Sequence, residues 1–199
     1  MNIAQQLNQF NIEDILYSEA IKNTVIDNSK FIRIITSNEN IIINGIFLYI
    51  SLKCNVYDNI KEQKQKFVFK KEQNLLCISL LQSIEQQILH KGLVLNKNKQ
   101  LRLSKQLDDG FIKVYNKKLS YETENNLERS KKDSQKDSQK DSNLDNYNVK
   151  QTDSNTFITV GSNNLTTVKE DTLCKFILKI SGIWENDKEY GITYKFMPI

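Results

Sequence analysis

The chain has 199 residues, of which 39% are hydrophobic and 26% are charged, and its formal net charge is +4. This length and composition predict one folded domain with an additional polar segment. No apolar run approaches the roughly 18 residues that a membrane-spanning helix needs. The small positive charge is weak evidence for an anionic partner, because AT-rich codons alone favour Asn, Lys and Ile.

The cysteines indicate a reducing compartment. Cys54, Cys77 and Cys174 lie far apart in apolar runs, with no CxxC pair and no zinc-ligand spacing. They are expected to be buried free thiols. The first fifteen residues lack the basic and apolar regions of a signal peptide. We therefore expect an intracellular, cytoplasmic protein without a membrane anchor.

The N-terminal quarter of the chain is dominated by β-forming residues. Residues 1–20 fit either a short helix, with Ile3, Leu7 and Phe10 on one face, or an extended arm. Residues 31–52 are rich in β-branched and aromatic residues and predict two or three antiparallel strands. Asn44-Gly45 is typical of a two-residue hairpin turn. The alternative is one bent strand with a bulge at Gly45.

The middle of the chain changes from strand to helical period. Residues 66–70 predict a short strand. A helix follows, because apolar residues recur at its spacing: Leu80, Leu81, Ile84, Ile88 and Leu89. Ser79 and Gln82 fit a capping box at its start, and Gly92 fits the position after its end. Residues 111–115 predict another strand, preceded by a turn at Asp108-Asp109-Gly110.

Residues 117–154 form a low-complexity segment. A Lys-Asp-Ser-Gln unit repeats between Lys132 and Asn143, and the segment has almost no apolar residues. Burial cannot offset the entropy of ordering such a segment, so a disordered insertion is expected. A charged helix is the alternative, although Ser, Asn and Asp are poor helix formers.

The C-terminal stretch has the clearest pattern. Its even positions are apolar or aromatic: Cys174, Phe176, Leu178, Ile180, Trp184, Tyr190, Ile192, Tyr194 and Phe196. This period of two predicts a hairpin with one buried face, and Gly182 is a candidate bulge that re-aims Trp184. A lone hairpin is marginal in water, so it must join the strands before residue 116. We therefore predict a single mainly-β domain (α+β class) over 1–199, an antiparallel barrel or sandwich with one helix.

The same stretch resembles the C-terminal signature of an uncharacterised protein family of nucleocytoplasmic large DNA viruses. Its residues are Ile183-Trp184, a polar loop, and Tyr190 to Lys195. The blocks "NIEDILYSEAIKN" and "LLCISLLQSIEQQILHKG" occur in the same order. Some single-stranded-DNA-binding proteins of such viruses are small barrels related to the OB-fold. The resemblance thus implies an OB-like fold, and a place in a viral factory or virion.

Catalytic patterns are weak. His90 is the chain's one histidine and fits a helix C-terminus. The glycines are isolated and form no phosphate-binding loop. Asp108-Asp109 fits a turn better than a metal site. We expect no enzyme activity, no metal site and no cofactor.

Two segments combine cations with aromatic rings, as single-strand-binding surfaces do. Lysines are expected to contact phosphates and rings to stack on bases. The candidate residues are Lys64, Lys66, Phe67, Phe69, Lys70, Lys91, Lys97, Lys99, Arg102, Lys105 and Trp184. We therefore predict a sequence-independent single-stranded DNA or other nucleic-acid binding protein, acting in viral-type replication or packaging. In the alternative, the three rings are core residues and the protein is a structural or virion-associated module that binds a protein through a sheet edge or the insertion.

Overall fold

The computed structural model describes residues 3–25, 27–59, 64–92, 96–115, 148–153, 156–161 and 164–199. Within them the strands are β1 (Gln5–Gln6), β2 (Ile15–Tyr17), β3 (Ile21–Lys22), β4 (Lys30–Ser37), β5 (Ile42–Asn44), β6 (Ile46–Asn59), β7 (Lys64–Val68), β8 (Asn98–Gln100), β9 (Phe111–Tyr115), β10 (Asn148–Asp153), β11 (Thr156–Gly161), β12 (Asn164–Glu185) and β13 (Glu189–Pro198). The described α-helices are α1 (Leu75–Lys91) and α2 (Arg102–Asp108), and short 3-10 turns occupy Leu7–Gln9, Ile12–Asp14 and Lys71–Gln73.

These strands form an open and mostly antiparallel sheet. The predicted mainly-β class is therefore confirmed, and the sheet does not close into a barrel. The chain divides into two compact units. Unit 1 contains residues 1–53, 69–112 and 173–199, and unit 2 contains residues 54–68 and 113–172. That the whole chain folds as one domain stays a prediction.

In unit 1 the C-terminal hairpin joins strands from the start of the chain. β12 pairs with β13 from Phe176 to Glu185, and it also pairs with β4, where Gly182 lies opposite Arg33. β4 in turn pairs with β2, β3 and β5. β8 adds a short parallel edge next to β13. The prediction that the hairpin completes a sheet begun before residue 116 is confirmed.

One face of this sheet, the inner face, supplies most of the core. Its buried residues on the two long strands are Ile46, Leu48, Ile50, Leu52, Phe176, Leu178 and Ile180. Phe176 and Phe196 meet edge to face, with ring centroids 6.1 Å apart. α1 buries Ile78, Leu81, Ile84, Ile88 and Leu89. Its end lies against β12, since a Cβ on Gly92 would come within 2.3 Å of Ile183 Cδ1.

The predicted bulge at Gly182 is present. Ile180 opposes Tyr194 but Gly182 opposes Thr193, so the register shifts between them. A glycine is needed there, because a Cβ on Gly182 would lie 2.3 Å from the Ile32 carbonyl oxygen. The shift reverses the alternation of β12, so Trp184 lies opposite Gly191. Trp184 is therefore on the other face from the preceding even positions.

Three local predictions require correction. The helix α1 begins at Leu75 after Asn74, rather than at Ser79, whose hydroxyl instead donates to the Leu76 carbonyl. Asn74 accepts from the Lys53 amide at 2.8 Å and so ties the helix start to β6. The helix ends at Lys91, and Gly92 follows its end as predicted. α2 is an additional helix, so the prediction of a single helix is wrong.

The prediction of a hairpin turn at Asn44-Gly45 is also wrong. The tight turn lies at Asn38, whose amide donates to the Ile41 carbonyl, and it joins β4 to β5. Gly45 has a φ of +95° and donates its amide to the Ile34 carbonyl at 2.7 Å. The chain therefore bends at Gly45 between β5 and β6, which is the alternative that the glycine allowed.

Unit 2 contains the far end of β6 paired with β7, and the antiparallel series β10, β11 and β12. Most of the predicted insertion, residues 117–154, lies outside the described residues. Its described part, Asn148–Asp153, is strand β10 paired with β11. At that end, strand structure begins before the predicted boundary at residue 154.

Candidate nucleic-acid interface

The second face of the unit 1 sheet, the outer face, carries a group of cations. Lys179 on β12 and Lys195 on β13 lie directly opposite each other. Side chains of directly opposed residues stand on the same side of a sheet, as do those of residues two apart on one strand. Lys175 therefore shares this face. Arg33 also shares this face. It lies opposite Gly182, and Gly182 lies opposite Thr193, which is two residues before Lys195 on β13.

Aromatic rings accompany these cations. The Lys179 ammonium lies 5.2 Å from the centroid of the Phe47 ring, which places Phe47 on the outer face. Tyr49 is two residues further along β6 and shares the face. Both rings are partly exposed, while Lys175, Lys195 and Arg33 are exposed. Partly exposed rings between cations are what a stacked, negatively charged strand requires.

No carboxylate neutralises the outer face along its central strands. None of its positions within segments 31–37, 47–53, 173–184 and 191–197 is Asp or Glu. Directly opposed like charges destabilise a strand pair by a fraction of a kcal/mol up to about 1 kcal/mol. The Lys179–Lys195 pair thus gives up some stability and provides a positive field above an exposed sheet.

Trp184 and Arg102 form a stacked pair at one end of this face. The Arg102 guanidinium carbon lies 4.3 Å from the centroid of the Trp184 ring. Trp184 is only 4% exposed, whereas Arg102 is exposed. The arginine is the first residue of α2, and its carbonyl oxygen lies 3.2 Å from the Tyr194 hydroxyl. The pair therefore connects α2 with the last hairpin.

The indole N–H of Trp184 is buried and has no hydrogen-bond partner among the residues that the structure describes. Leaving a buried donor unpaired costs about 1–3 kcal/mol. Gly191 allows this ring to pack closely against the backbone, since a Cβ there would lie 3.1 Å from Trp184 Cζ2 and 2.9 Å from the Gln100 carbonyl oxygen. The N–H is thus a donor held without an acceptor at the edge of a cationic face.

Two predicted phosphate contacts form ion pairs with the protein's own carboxylates. Lys91 donates to the Ile12 carbonyl at 2.7 Å and to Glu13 at 3.2 Å. Lys97 lies 3.1 Å from Glu185, whose carboxylate is largely buried. These contacts compete with phosphate binding and weaken the prediction for both lysines.

The other predicted cations are dispersed. Lys99 lies directly opposite Tyr190. Tyr190 is next to Gly191, which shares the face of Trp184, so Tyr190 and Lys99 stand on the other side of the sheet. Lys105 is exposed on α2, and Lys70 is exposed just before the turn that leads to α1. Lys64 and Lys66 belong to β7 in unit 2, so the two basic segments are mostly divided between the units.

The predicted stacking rings are buried. Phe67 and Phe69 are each 5% exposed, and Trp184 is 4% exposed. All three rings are therefore core residues, as in the alternative given by the sequence, and none of them exposes a ring face on which a base could stack. Alternation buries Phe67 and Phe69 together, because residues two apart on a strand share a face.

Phe47, Tyr49 and Arg33 are interface residues that the sequence analysis did not identify. The polar half of the alternation in β12 and β13 did indicate Lys175, Lys179 and Lys195. For the β4 and β6 residues no local signal existed, because their place beside the lysines depends on pairing between strands far apart in the chain.

Alternative kinds of site lack support in the described part of the chain. No three His, Cys, Asp or Glu side chains in it cluster as a metal site needs. His90 lies exposed in the last turn of α1, as predicted. Among the described helices, none has the length and apolar character to cross a membrane. The absence of enzyme activity stays a prediction.

Comparisons of the chain with protein-family models, with curated proteins and with solved structures find no match. The relationship to the giant-virus family and the OB-like character therefore stay predictions.

Proposed function

We propose that the protein binds single-stranded nucleic acid without sequence specificity, through the outer face of its unit 1 sheet. One observation carries the proposal: opposed Lys179 and Lys195 share an exposed face with the Phe47 ring. The lysines supply phosphate contacts, and Phe47 and Tyr49 supply surfaces on which bases stack, about 1–3 kcal/mol for each base. A role in viral-type DNA replication or packaging accompanies this activity, and no cofactor takes part.

The cationic composition favours binding without base readout. Lysine is a point charge on a flexible stem and contacts phosphate without a fixed geometry. Base-specific readout relies on bidentate side chains that reach base edges in a groove. Among the cations on the described strands of the outer face, lysines outnumber the single arginine, Arg33, so the face is suited to the backbone and the ring planes of the strand.

The test is a titration of fluorescent oligothymidylate with the full chain, followed by anisotropy over a salt series. The Lys179→Ala/Lys195→Ala double variant removes two phosphate contacts. The logarithm of affinity should then depend less steeply on the logarithm of salt, by about 1.4 in slope, or about 0.7 for each contact on a single strand. Its affinity at low salt should fall correspondingly.

The matched control is Lys22→Ala/Lys30→Ala. These lysines are exposed and also directly opposed, but their row includes Glu185 and lies on the other side of the sheet. The control should retain the wild-type slope. Equal losses of affinity and of salt slope in the two double variants would mean that net charge, rather than the outer face, determines binding. A wild-type chain that does not bind at all would favour the protein-interaction alternative.

A further inference from the structure

Strands β2 to β5 carry a patch of apolar side chains on the outer face. On β4 the patch shares the face of Arg33, because residues two apart on a strand stand on the same side. The neighbouring strands add residues that lie directly opposite these outer-face positions of β4, the last of them opposite Ser37. The apolar patch consists of Leu16, Ile21, Phe31, Ile35 and Ile42.

The apolar patch is open to solvent. Leu16 is 52% exposed, Ile21 is 46% exposed and Ile42 is 76% exposed. Phe31 and Ile35 are partly exposed. Adjoining exposed apolar side chains mark interaction sites on folded proteins, whereas single ones need no explanation. Since exposure of this size means that no described part of the chain covers the patch, we look for its occupant in another molecule.

The apolar patch is continuous with the cationic part of the outer face. The Phe31 ring lies against Gly182 of β12, since a Cβ on Gly182 would come within 2.5 Å of the ring Cζ. Gly182 is about 10 Å along β12 from Lys179. Arg33 lies opposite Gly182 and is exposed between Phe31 and Ile35. A strand that the lysines hold therefore reaches the patch without leaving this face.

The charge of the apolar patch favours an anionic occupant. Arg33 is the one charged residue among the outer-face positions of the described strands β2 to β5. The exposed carboxylates of Glu19 and Glu39 lie in connecting segments, outside these strands. Two copies of the chain packed patch to patch would bring together two arginines without a carboxylate from these strands. Charge complementarity therefore favours nucleic acid over a second copy.

We infer that the apolar patch is a second subsite of the outer face, one that binds bases rather than phosphates. The Phe31 ring and the aliphatic side chains contact base planes, and Arg33 contacts the phosphate between this part of the strand and the lysines. The ligand class is a single strand with unpaired bases that is long enough to cover both parts of the face. A duplex keeps its bases stacked inside and leaves the patch uncovered.

This inference rests on the proposed function, and strand length separates the two. Oligothymidylates of about four and about twelve nucleotides, within the site sizes of single-strand-binding folds, are titrated with the full chain and followed by anisotropy. Leu16→Thr/Ile21→Thr keeps the net charge and β-forming residues but removes apolar surface. Its affinity for the longer strand should fall about tenfold with an unchanged salt slope, because no phosphate contact is lost. Its affinity for the shorter strand, which the lysines hold, should equal that of the wild type.

The matched control is Leu75→Gln/Leu76→Gln. These leucines are 58% and 75% exposed at the start of α1, and glutamine is a good helix former. The control should bind both strands like the wild type. A second measurement needs no substitution: in a chain with labelled isoleucine methyl groups, the NMR signals of Ile21 and Ile42 should shift when the longer strand binds, because base rings change the frequencies of nearby protons.

The outcomes are distinct. A wild type that binds neither strand overturns the function and the subsite together. Unmoved Ile21 and Ile42 signals with the longer strand bound overturn the subsite and leave the function standing, as does a folded Leu16→Thr/Ile21→Thr variant of wild-type affinity. Equal losses of affinity for the two strands also overturn it. Light scattering completes the test, since a dimer that this variant converts to a monomer without loss of affinity would assign the patch to a second copy and overturn the inference.

Discussion

Glu85 shows how a single buried residue organises the site. It is fully buried on α1, and its carboxylate accepts from the Leu103 amide at 3.0 Å, the Ser104 amide at 2.7 Å and the Ser104 hydroxyl at 2.6 Å. These donors belong to the first turn of α2, whose amides have no partner within the helix. Glu85 therefore fixes the start of the helix that presents Arg102.

Replacing Glu85 with Gln tests this role. Glu85→Gln keeps the volume but turns an amide NH₂ toward donors, so the free energy of unfolding should fall by about 1–3 kcal/mol. Urea unfolding followed by circular dichroism measures the loss. Gln86→Ala, an exposed change one residue further along α1, is the control and should stay within about 0.5 kcal/mol of the wild type. A Glu85→Gln variant with an unchanged free energy of unfolding would show that α2 does not depend on this carboxylate.

Tyr17 gives a pH prediction. Its hydroxyl donates to the Ile88 carbonyl at 2.9 Å, and burial raises its pKa from 10.0 to about 12. The folded state thus favours the neutral phenol more than the unfolded state does. The resulting stability is fully present below pH 10 and is lost as the pH rises toward 12.

Urea midpoints at about pH 9 and about pH 11.5 measure this loss. Tyr17→Phe cannot ionise, so the difference between its two midpoints should be smaller than in the wild type. Burial also raises the pKa of Tyr194 to about 12, and the charge of Glu85 contributes to this rise. The Tyr194→Phe variant should therefore show the same smaller difference between its two midpoints as Tyr17→Phe. Equal pH differences in wild type and both variants would contradict the account.

At the scale of elements, alternation predicted the final hairpin because its period follows from strand geometry alone. The glycine at 182 predicted the bulge, and the structure gives the reason, since a Cβ there would lie 2.3 Å from the Ile32 carbonyl oxygen. α2 could not be predicted, because its seven residues are ordered by contacts with α1 and β13 that are distant in sequence. The Asn44-Gly45 hairpin failed because the Gly45 amide pairs with β4 instead.

The Lys179–Lys195 pair predicts opposite effects on stability and binding. Lys195→Glu converts a like-charged pair into an attractive one, so the free energy of unfolding should rise by about 0.2–1 kcal/mol. Affinity for oligothymidylate should fall at the same time, because a carboxylate then stands among the outer-face cations.

Urea unfolding and anisotropy measure the two effects on the same protein. Lys22→Glu is the matched control, since Lys22 opposes Lys30 in the same way. It should gain similar stability without losing affinity. A loss of affinity as large as that of Lys195→Glu would show that the two faces do not differ.

At the scale of the whole molecule, the outer face combines residues from β4, β6, β12 and β13. The sequence could indicate that cations and rings occur near one another along the chain. It could not show which of them meet, because that depends on which strands pair across more than a hundred residues. The structure accordingly moves the candidate site from the buried Phe67 and Phe69 to Phe47, Tyr49 and the lysines of the last hairpin.

Lysine footprinting of the full chain tests this location most directly. Lysines are acetylated with and without saturating oligothymidylate, and the modified positions are measured by mass spectrometry. The account predicts protection of Lys175, Lys179 and Lys195 by the bound strand, with Lys22 and Lys30 as reactive as before. Unchanged reactivity of the three outer-face lysines when the strand is bound, or protection of Lys22 and Lys30 in their place, would contradict it.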